Sequence, residues 1–274
     1  MTISQYKKHL ENYSGQTQTP EDFSQHWSQA LELPGGEVRR EAAPFSNPAA
    51  CYETLTLSTP DGEIRARCVY PAGGGTYPLV LMYHDLNRGP RGWHHMTRFI
   101  ALGCAVVAPE APADNTSWVA RPHDVDFHAR FVNALALSKA ALELPYVDKT
   151  RVITWGEGLG GGLAVAAAAL LPGEIHCACL HPMPADFRGV CTDKDGTGFA
   201  RLDYVDVVNF APMLKGQLLL GTALMDKVAP PEGQYALYHG ANCPKTHFVY
   251  PKYEHERINF FEHEVLKFLH KVLE

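Results

Sequence analysis

Two side chains in this 274-residue chain have the chemistry and the placement of a proton-transfer pair. Asp226 follows the apolar run Gln217 to Gly221, and His255 follows the apolar run His247 to Tyr250. An acid and then a histidine, each on a loop at the carboxyl end of a strand, is the order in which a hydrolytic triad is completed downstream of its nucleophile. The acid would hold the imidazole in one tautomer, and the imidazole would take and return a proton. Upstream, Arg151 to Trp155 runs into Gly156-Glu157-Gly158-Leu159-Gly160-Gly161-Gly162 and then an Ala-rich apolar stretch. A strand-to-helix turn of the form Gly-x-Nu-x-Gly exposes a nucleophile, because small flanking residues let the backbone bend sharply. Gly156 and Gly160 are the flanks, so the nucleophile position falls on Gly158, which has no side chain.

The same glycines satisfy Gly-x-Gly-x-x-Gly as a string. That dinucleotide fingerprint belongs to the first strand-helix turn of its domain, with an acid about 20 residues on. Here the turn lies past the middle of the chain, and Glu174 precedes a strand instead of ending one. No Gly-x-x-x-x-Gly-Lys-Ser/Thr string is present. Glu157 is a poor substitute nucleophile, since it leaves the turn one residue early and should point away from its apex.

These residues need a scaffold. From Pro78 onward, short continuous apolar runs alternate with helical patterns, as buried parallel strands with crossover helices do. The expected strands are Leu79 to Tyr83, Ala105 to Ala108, Val152 to Trp155, Ile175 to Leu180, Gln217 to Gly221 and His247 to Tyr250. The expected helices are Trp93 to Leu102, Val125 to Leu144, Leu159 to Leu171, Pro231 to Tyr238 and Arg257 to Leu273. Before them, Tyr52 to Leu57 and Ile64 to Tyr70 flank Pro60-Asp61-Gly62 and read as an antiparallel hairpin. An amphipathic helix is expected over Pro20 to Leu33, ending at Pro34-Gly35-Gly36. The fold class is α/β, and the turn motif selects an α/β-hydrolase: a mainly parallel sheet flanked by helices with an antiparallel N-terminal hairpin. One domain over residues 1–274 is expected, with 1–36 as a helical N-terminal extension.

Composition narrows the partners. A net charge of −6 and a pI near 6.1 offer no basic stripe for phosphates, so nucleic acid is not expected. Met1 to Gly15 is polar, unlike a secretion or transit signal, and no apolar run is long enough to span a bilayer. The seven cysteines are odd in number, lack a Cys-x-x-Cys pair and sit largely in apolar runs, as in a reduced cytoplasmic protein. Fourteen histidines invite a metal reading, but no His-Glu-x-x-His or zinc-spaced Cys/His quartet occurs, so neither metal nor cofactor is expected.

The sequence resembles carbohydrate esterase family 7, the acetylxylan esterases and cephalosporin-C deacetylases. The resemblance rests on Pro20-Glu21-Asp22-Phe23 with Trp27, Val147-Asp148-Lys149-Thr150-Arg151-Val152, Gly160-Gly161-Gly162-Leu163 and Ala185-Asp186-Phe187. It continues through Tyr204-Val205-Asp206-Val207-Val208-Asn209-Phe210-Ala211, Met225-Asp226 with Pro230-Pro231, and Tyr250-Pro251 with His255-Glu256. It implies an α/β-hydrolase fold, ring-like homo-oligomers, no metal, and removal of acetyl groups from small acetylated sugars or similar esters. It maps the family's triad acid and histidine onto Asp226 and His255, and its Gly-x-Ser-Gln-Gly-Gly onto Gly156 to Gly161, so that Ser becomes Gly158 and Gln becomes Leu159. The family's His-Gly-Tyr reads His84-Asp85-Leu86, its Arg-Gly-Gln reads Glu110-Ala111-Pro112, and the segment between Phe187 and Leu202 is shorter than the family's insert.

Departures scattered through the site fit natural drift better than a single engineered change. Two outcomes compete. In one, His255 activates a water in the space left by the serine, with the backbone N–H groups of Leu86 and Leu159 as oxyanion hole. In the other, ester hydrolysis is weak or lost, and the chain is a pseudo-esterase with a carbohydrate-binding or assembly role.

Overall fold

The structure, a computed structural model, describes residues 2–32, 36–45, 47–90, 92–192 and 198–273. Two helices lead the chain, α1 (Ile3–Glu11) and α2 (Phe23–Glu32), followed by strands β1 (Val38–Ala42), β2 (Ala50–Thr59), β3 (Gly62–Pro71) and β4 (Tyr77–Tyr83). Helix α3 (Trp93–Thr97) and β5 (Ala105–Pro109) come next, then α4 (Phe127–Leu142), β6 (Val147–Glu157) and α5 (Leu159–Leu170). The remainder is β7 (His176–Leu180), α6 (Phe187–Val190), α7 (Phe199–Leu202), β8 (Leu218–Ala223), α8 (Pro231–Gly240), β9 (Lys245–Tyr250) and α9 (Asn259–Leu273).

Among the described residues, nine strands form one sheet in the order β1-β2-β3-β5-β4-β6-β7-β8-β9. Strands β1 to β3 pair antiparallel, β3 pairs antiparallel with β5, and β4 through β9 pair parallel. The apolar runs form this centre because they are covered on both faces. Side chains alternate across a strand, so Leu79, Leu81 and Tyr83 of β4 join one core while Val80 and Met82 join the other. The first core is closed by α4 and α5 through Phe131, Leu135, Ala164 and Val165. The second is closed by α3 and α9 through Met96, Phe261, Val265 and Leu269.

The hairpin, the parallel core and its helices lie where the sequence places them, with shifted ends. The helix expected over Trp93 to Leu102 is two pieces, α3 and a 3-10 turn Ile100–Leu102, ended by Gly103 at φ 72°. The helix expected from Val125 starts at Phe127, because the Asp126 carboxylate accepts the Ala129 N–H at 2.9 Å and caps it. Helix α2 starts at Phe23; the expected end at Pro34-Gly35 lies outside the described residues. Four elements were not expected: α1, β1 and the one-turn helices α6 and α7. Helix α1 opens with a capping box between Thr2 and Gln5. Strand β1 is exposed at every residue and carries ion pairs Arg39–Glu63 and Arg40–Glu53, so it lacks the alternation that marks a half-buried strand.

Two acids from the resemblance strings tie the N-terminal segment to the body of the fold. Asp206, fully buried, accepts the backbone N–H groups of Asp186, Phe187 and Val208 and the Thr17 hydroxyl. Asp186 accepts from the Tyr13 hydroxyl, the Gln16 N–H and the Thr17 hydroxyl. Burial pushes the Asp206 carboxyl from 3.8 up to about 7, against the opposing pull of its backbone donors. A group raised on folding contributes stability that is fully present below its unfolded pKa and lost as pH rises through its folded one. The stability deficit of Asp206→Ala, read by urea denaturation, should therefore shrink by about 2–3 kcal/mol between pH 5 and pH 8.

Candidate functional site

Strand β6 delivers Gly158 at φ 57° and ψ −124°, the N-cap of α5. This backbone region disfavours side chains, at a cost on the order of 1–3 kcal/mol for a non-glycine residue. The turn is pinned by the Gly158 N–H donating to the Leu180 carbonyl at 2.9 Å, and by the Gly158 carbonyl accepting from Gly162 and Met183, each at 3.1 Å. The flank at Gly156 is required as well, since a Cβ there would stand 2.0 Å from the Gly160 carbonyl oxygen. The sharp turn is thus built in full without the side chain it ordinarily presents.

The space over that turn is filled by Asp85. Its Oδ1 accepts the Leu86 N–H at 2.7 Å and the Leu159 N–H at 3.0 Å, and its Oδ2 lies 2.8 Å from His255 Nε2. A Cβ on Gly158 would fall 1.8 Å from Asp85 Oδ1 and 2.3 Å from its Cγ, so a side chain at 158 and the Asp85 carboxylate compete for one volume. The two N–H groups expected to form an oxyanion hole both donate to Asp85 Oδ1. The residue before it, His84, donates from Nδ1 to the Asp85 carbonyl at 2.9 Å, because its Nε2 accepts the Ala111 N–H at 3.1 Å.

Asp226 and His255 also meet. His255 Nδ1 lies 2.8 Å from Asp226 Oδ2, while Asp226 Oδ1 accepts the Val228 and Ala229 N–H groups at 2.8 Å each. Burial, the largest single influence on His255, opposes its charge, but the hydrogen bonds and charges of Asp226 and Asp85 outweigh it and raise the pKa to about 9. With a carboxylate oxygen at each nitrogen, the ring is an imidazolium at neutral pH. For Asp85, burial raises the pKa, yet the His255 hydrogen bond and charge and the Leu159 and Leu86 donors hold it below the usual range. The result is a buried carboxylate–imidazolium–carboxylate chain with no free base at its centre.

Glu157 points elsewhere, its carboxylate facing Arg88 at 3.7 Å and Arg257 at 3.5 Å. Glu110, in the segment aligned with the family's Arg-Gly-Gln, pairs with Arg67 at 2.6 Å. Asp85 opens on a cavity of about 160 Å³ lined by Leu86, Asn87, Asn115, Ser117, Trp118 and Lys227 among others. A second cavity of about 570 Å³ touches His84 and Leu159, with Glu110, Arg130 and Asn133 on its wall.

One further residue joins the centre. His181 directly follows β7 at φ 48°, 2% exposed, with Nε2 at 2.9 Å from the Glu256 carbonyl and Nδ1 at 3.4 Å from Asp226 Oδ2. Burial holds it below the ordinary histidine range despite the nearby Asp226 charge. No motif in the sequence marks His181, and Asp85 stands there only as a departure from the family's His-Gly-Tyr. The available signals were an acid directly after His84 in a chain with glycine at the apex of its strand-to-helix turn, and a histidine at a strand's carboxyl end, where Asp226 and His255 also sit.

The sheet order, the turn at Gly158 and the acid–histidine pair at strand ends define an α/β-hydrolase. Comparison with known proteins sharpens this. The profile of the acetyl xylan esterase (AXE1) family matches residues 2–117, 117–198 and 191–272, and the chain belongs to that family. It is 29% identical over 126 residues to acetyl esterase Axe7A of Xylanibacter ruminicola, a match covering 41% of this chain and 29% of that protein. It is 25% identical to the esterase FrsA of Klebsiella pneumoniae over 219 residues, 71% of this chain and 51% of FrsA. The chain thus spans about half the length of FrsA, and less of Axe7A. Acetyl xylan esterase 1 of Thermoanaerobacterium sp. superposes with a TM-score of 0.84 at 25% identity, over 97% of this chain and 98% of that one. The acetyl xylan esterase of Paenibacillus sp. R4 gives 0.82 at 20% identity over the whole of both chains.

Proposed function

We propose that this acetyl xylan esterase relative binds small acetylated carbohydrates without hydrolysing them by a serine-type route. The observation that carries this reading is the Asp85 carboxylate, seated on the Leu86 and Leu159 N–H groups and against His255, where a serine and the acyl oxygen of its substrate would go. Acyl transfer needs a nucleophile, a base and preorganised donors for the developing oxyanion. Gly158 supplies no nucleophile, His255 is already protonated, and the donors are taken. Water activation by His255 is disfavoured for the same reasons, because its Nε2 proton is committed to Asp85. In this reading Asp226 and His255 keep the family's positions but serve to hold Asp85.

The polar wall beside Asp85, with Asn87, Asn115, Ser117 and Lys227, suits the hydroxyl and acetyl oxygens of a sugar. A cavity of about 160 Å³ has room for a small ligand such as an acetylated sugar unit. Aryl acetates should show no turnover that His255→Ala abolishes. Acetylated xylo-oligosaccharide at ten times its Kd should add about 1.4 kcal/mol of stability, worth about 3–6 °C in Tm for a chain of this size. His255-dependent turnover at the rate of an active esterase, or no Tm shift across a panel of acetylated sugars, would contradict the reading.

A further inference from the structure

We propose that His181, Asp226 and His255 form a binding site for a divalent transition metal, best matched by Zn²⁺. Among the described residues these three bring one donor atom each to within 4.8 Å of one another, and Asp226 Oδ2 stands 3.4 Å from His181 Nδ1 and 2.8 Å from His255 Nδ1. The site is argued from its side chains alone.

Each donor atom is freed for this use by what holds the opposite atom of the same side chain. Asp226 Oδ1 accepts two backbone N–H groups, from Val228 and Ala229, which leaves Oδ2 to face the two rings. His255 Nε2 is held by Asp85 Oδ2 at 2.8 Å, which directs Nδ1 inward. His181 Nε2 faces the Glu256 carbonyl at 2.9 Å, so it carries the proton and Nδ1 presents its lone pair. Metal-bound histidines characteristically give their second nitrogen to a carboxylate or a backbone carbonyl, and ligating carboxylates are hydrogen-bonded in turn. All three residues meet that condition.

The second observation is His181 itself. Its Nδ1 is buried, makes no hydrogen bond, and stands 3.4 Å from Asp226 Oδ2. Two acceptor lone pairs facing each other across that gap repel, and a cation between them turns the repulsion into two bonds. Bond lengths of about 2.0–2.2 Å at a tetrahedral centre put neighbouring donor atoms about 3.4 Å apart. The His181–Asp226 spacing already has that value. The Asp226–His255 spacing of 2.8 Å is a hydrogen bond and would open by about half an ångström as the metal replaces its proton. The exchange balances: His255 Nδ1 releases one proton to solvent, and its lone pair goes to the metal. Two imidazoles and one carboxylate favour Zn²⁺ over the oxygen-preferring Mg²⁺ and Ca²⁺.

This inference does not depend on sugar binding. Protein stripped with a chelator should take up one Zn²⁺ per chain by calorimetry, with a metal-dependent rise in Tm. Co²⁺ in place of Zn²⁺ should show visible d–d bands of low-coordinate geometry with nitrogen ligands. His181→Gln and Asp226→Asn should each weaken binding at least 100-fold, and Asp85→Asn, which acts through His255, by about 10- to 100-fold. The exposed pair His26 and His128, with Nε2 atoms 3.1 Å apart, is the competing location. Binding that survives His181→Gln and disappears in His128→Ala would overturn the proposal, as would the lack of stoichiometric uptake by the parent protein. Should both site variants fail to fold, the Co²⁺ spectrum of the parent decides: no such bands, no site.

Discussion

Replacing Asp85 with Gly should cost the protein about 2–4 kcal/mol and make its Tm respond to acetate. The carboxylate is the acceptor for two buried N–H groups and the partner of His255 Nε2. A buried donor left unpaired costs about 1–3 kcal/mol, and water reaching the vacated space would recover part of that. For a chain of this size the net loss corresponds to a fall of roughly 5–15 °C. Acetate has the charge and shape of the missing group, so tens of millimolar acetate should restore much of the Tm in metal-free protein. Chloride at the same ionic strength should not, and the parent should respond to neither. An unchanged Tm in Asp85→Gly, or one insensitive to acetate, would mean that the carboxylate does not hold the site together.

The second large effect concerns Gly158→Ser on its own. Restoring the hydroxyl looks like a repair, yet the new Cβ would meet Asp85 Oδ1 at 1.8 Å in a backbone conformation with φ 57°. The contact involves a carboxylate held by three hydrogen bonds, so relief requires breaking some of them. Overpacking of this kind costs about 1–3 kcal/mol, and the backbone adds a similar amount. Urea denaturation should show a loss of about 3 kcal/mol or more. The same serine should be better tolerated once the Asp85 carboxylate is gone: Asp85→Gly/Gly158→Ser should be more stable than the sum of the single changes predicts, with a coupling of about 2 kcal/mol. Strict additivity would argue that positions 85 and 158 do not share space.

The parallel core was legible because Leu79 to Tyr83 or Cys177 to Leu180 are apolar on both faces, a pattern that survives any error in their ends. Strand β1 was not, because Val38-Arg39-Arg40-Glu41-Ala42 is exposed on both faces and is held by pairing with β2 and by ion pairs, neither of which leaves a periodic trace. The capping box of α1 was present at Thr2 and Gln5 but preceded no apolar run. At the site, the expected positions of Gly158, Asp226, His255 and the Leu159 N–H follow from strand order and turn chemistry, and that of the Leu86 N–H from the family resemblance. What fills the space between them does not. Asp85 and Gly158 are far apart in sequence, and only the folded geometry shows that a Cβ at one would collide with the carboxylate at the other. His181 was hidden similarly, since its role depends on the burial of one nitrogen and the absence of a hydrogen-bond partner for it.

Gly158 and the Asp85 carboxylate are therefore two parts of one arrangement, in which the carboxylate fills the volume that a side chain at 158 would need and takes the Leu86 and Leu159 N–H groups. The most direct test is hydrolysis of an aryl acetate by four metal-free proteins: the parent, Gly158→Ser, Asp85→Gly and Asp85→Gly/Gly158→Ser. Removing Asp85 frees both N–H groups and strips His255 of one of the two carboxylates that keep it protonated. Only the double variant should then gain hydrolysis, at least 100-fold above the other three and abolished by His255→Ala. Equal activity in Gly158→Ser and the double variant, or none in the double while it remains folded, would contradict the claim that Asp85 is what closes this site.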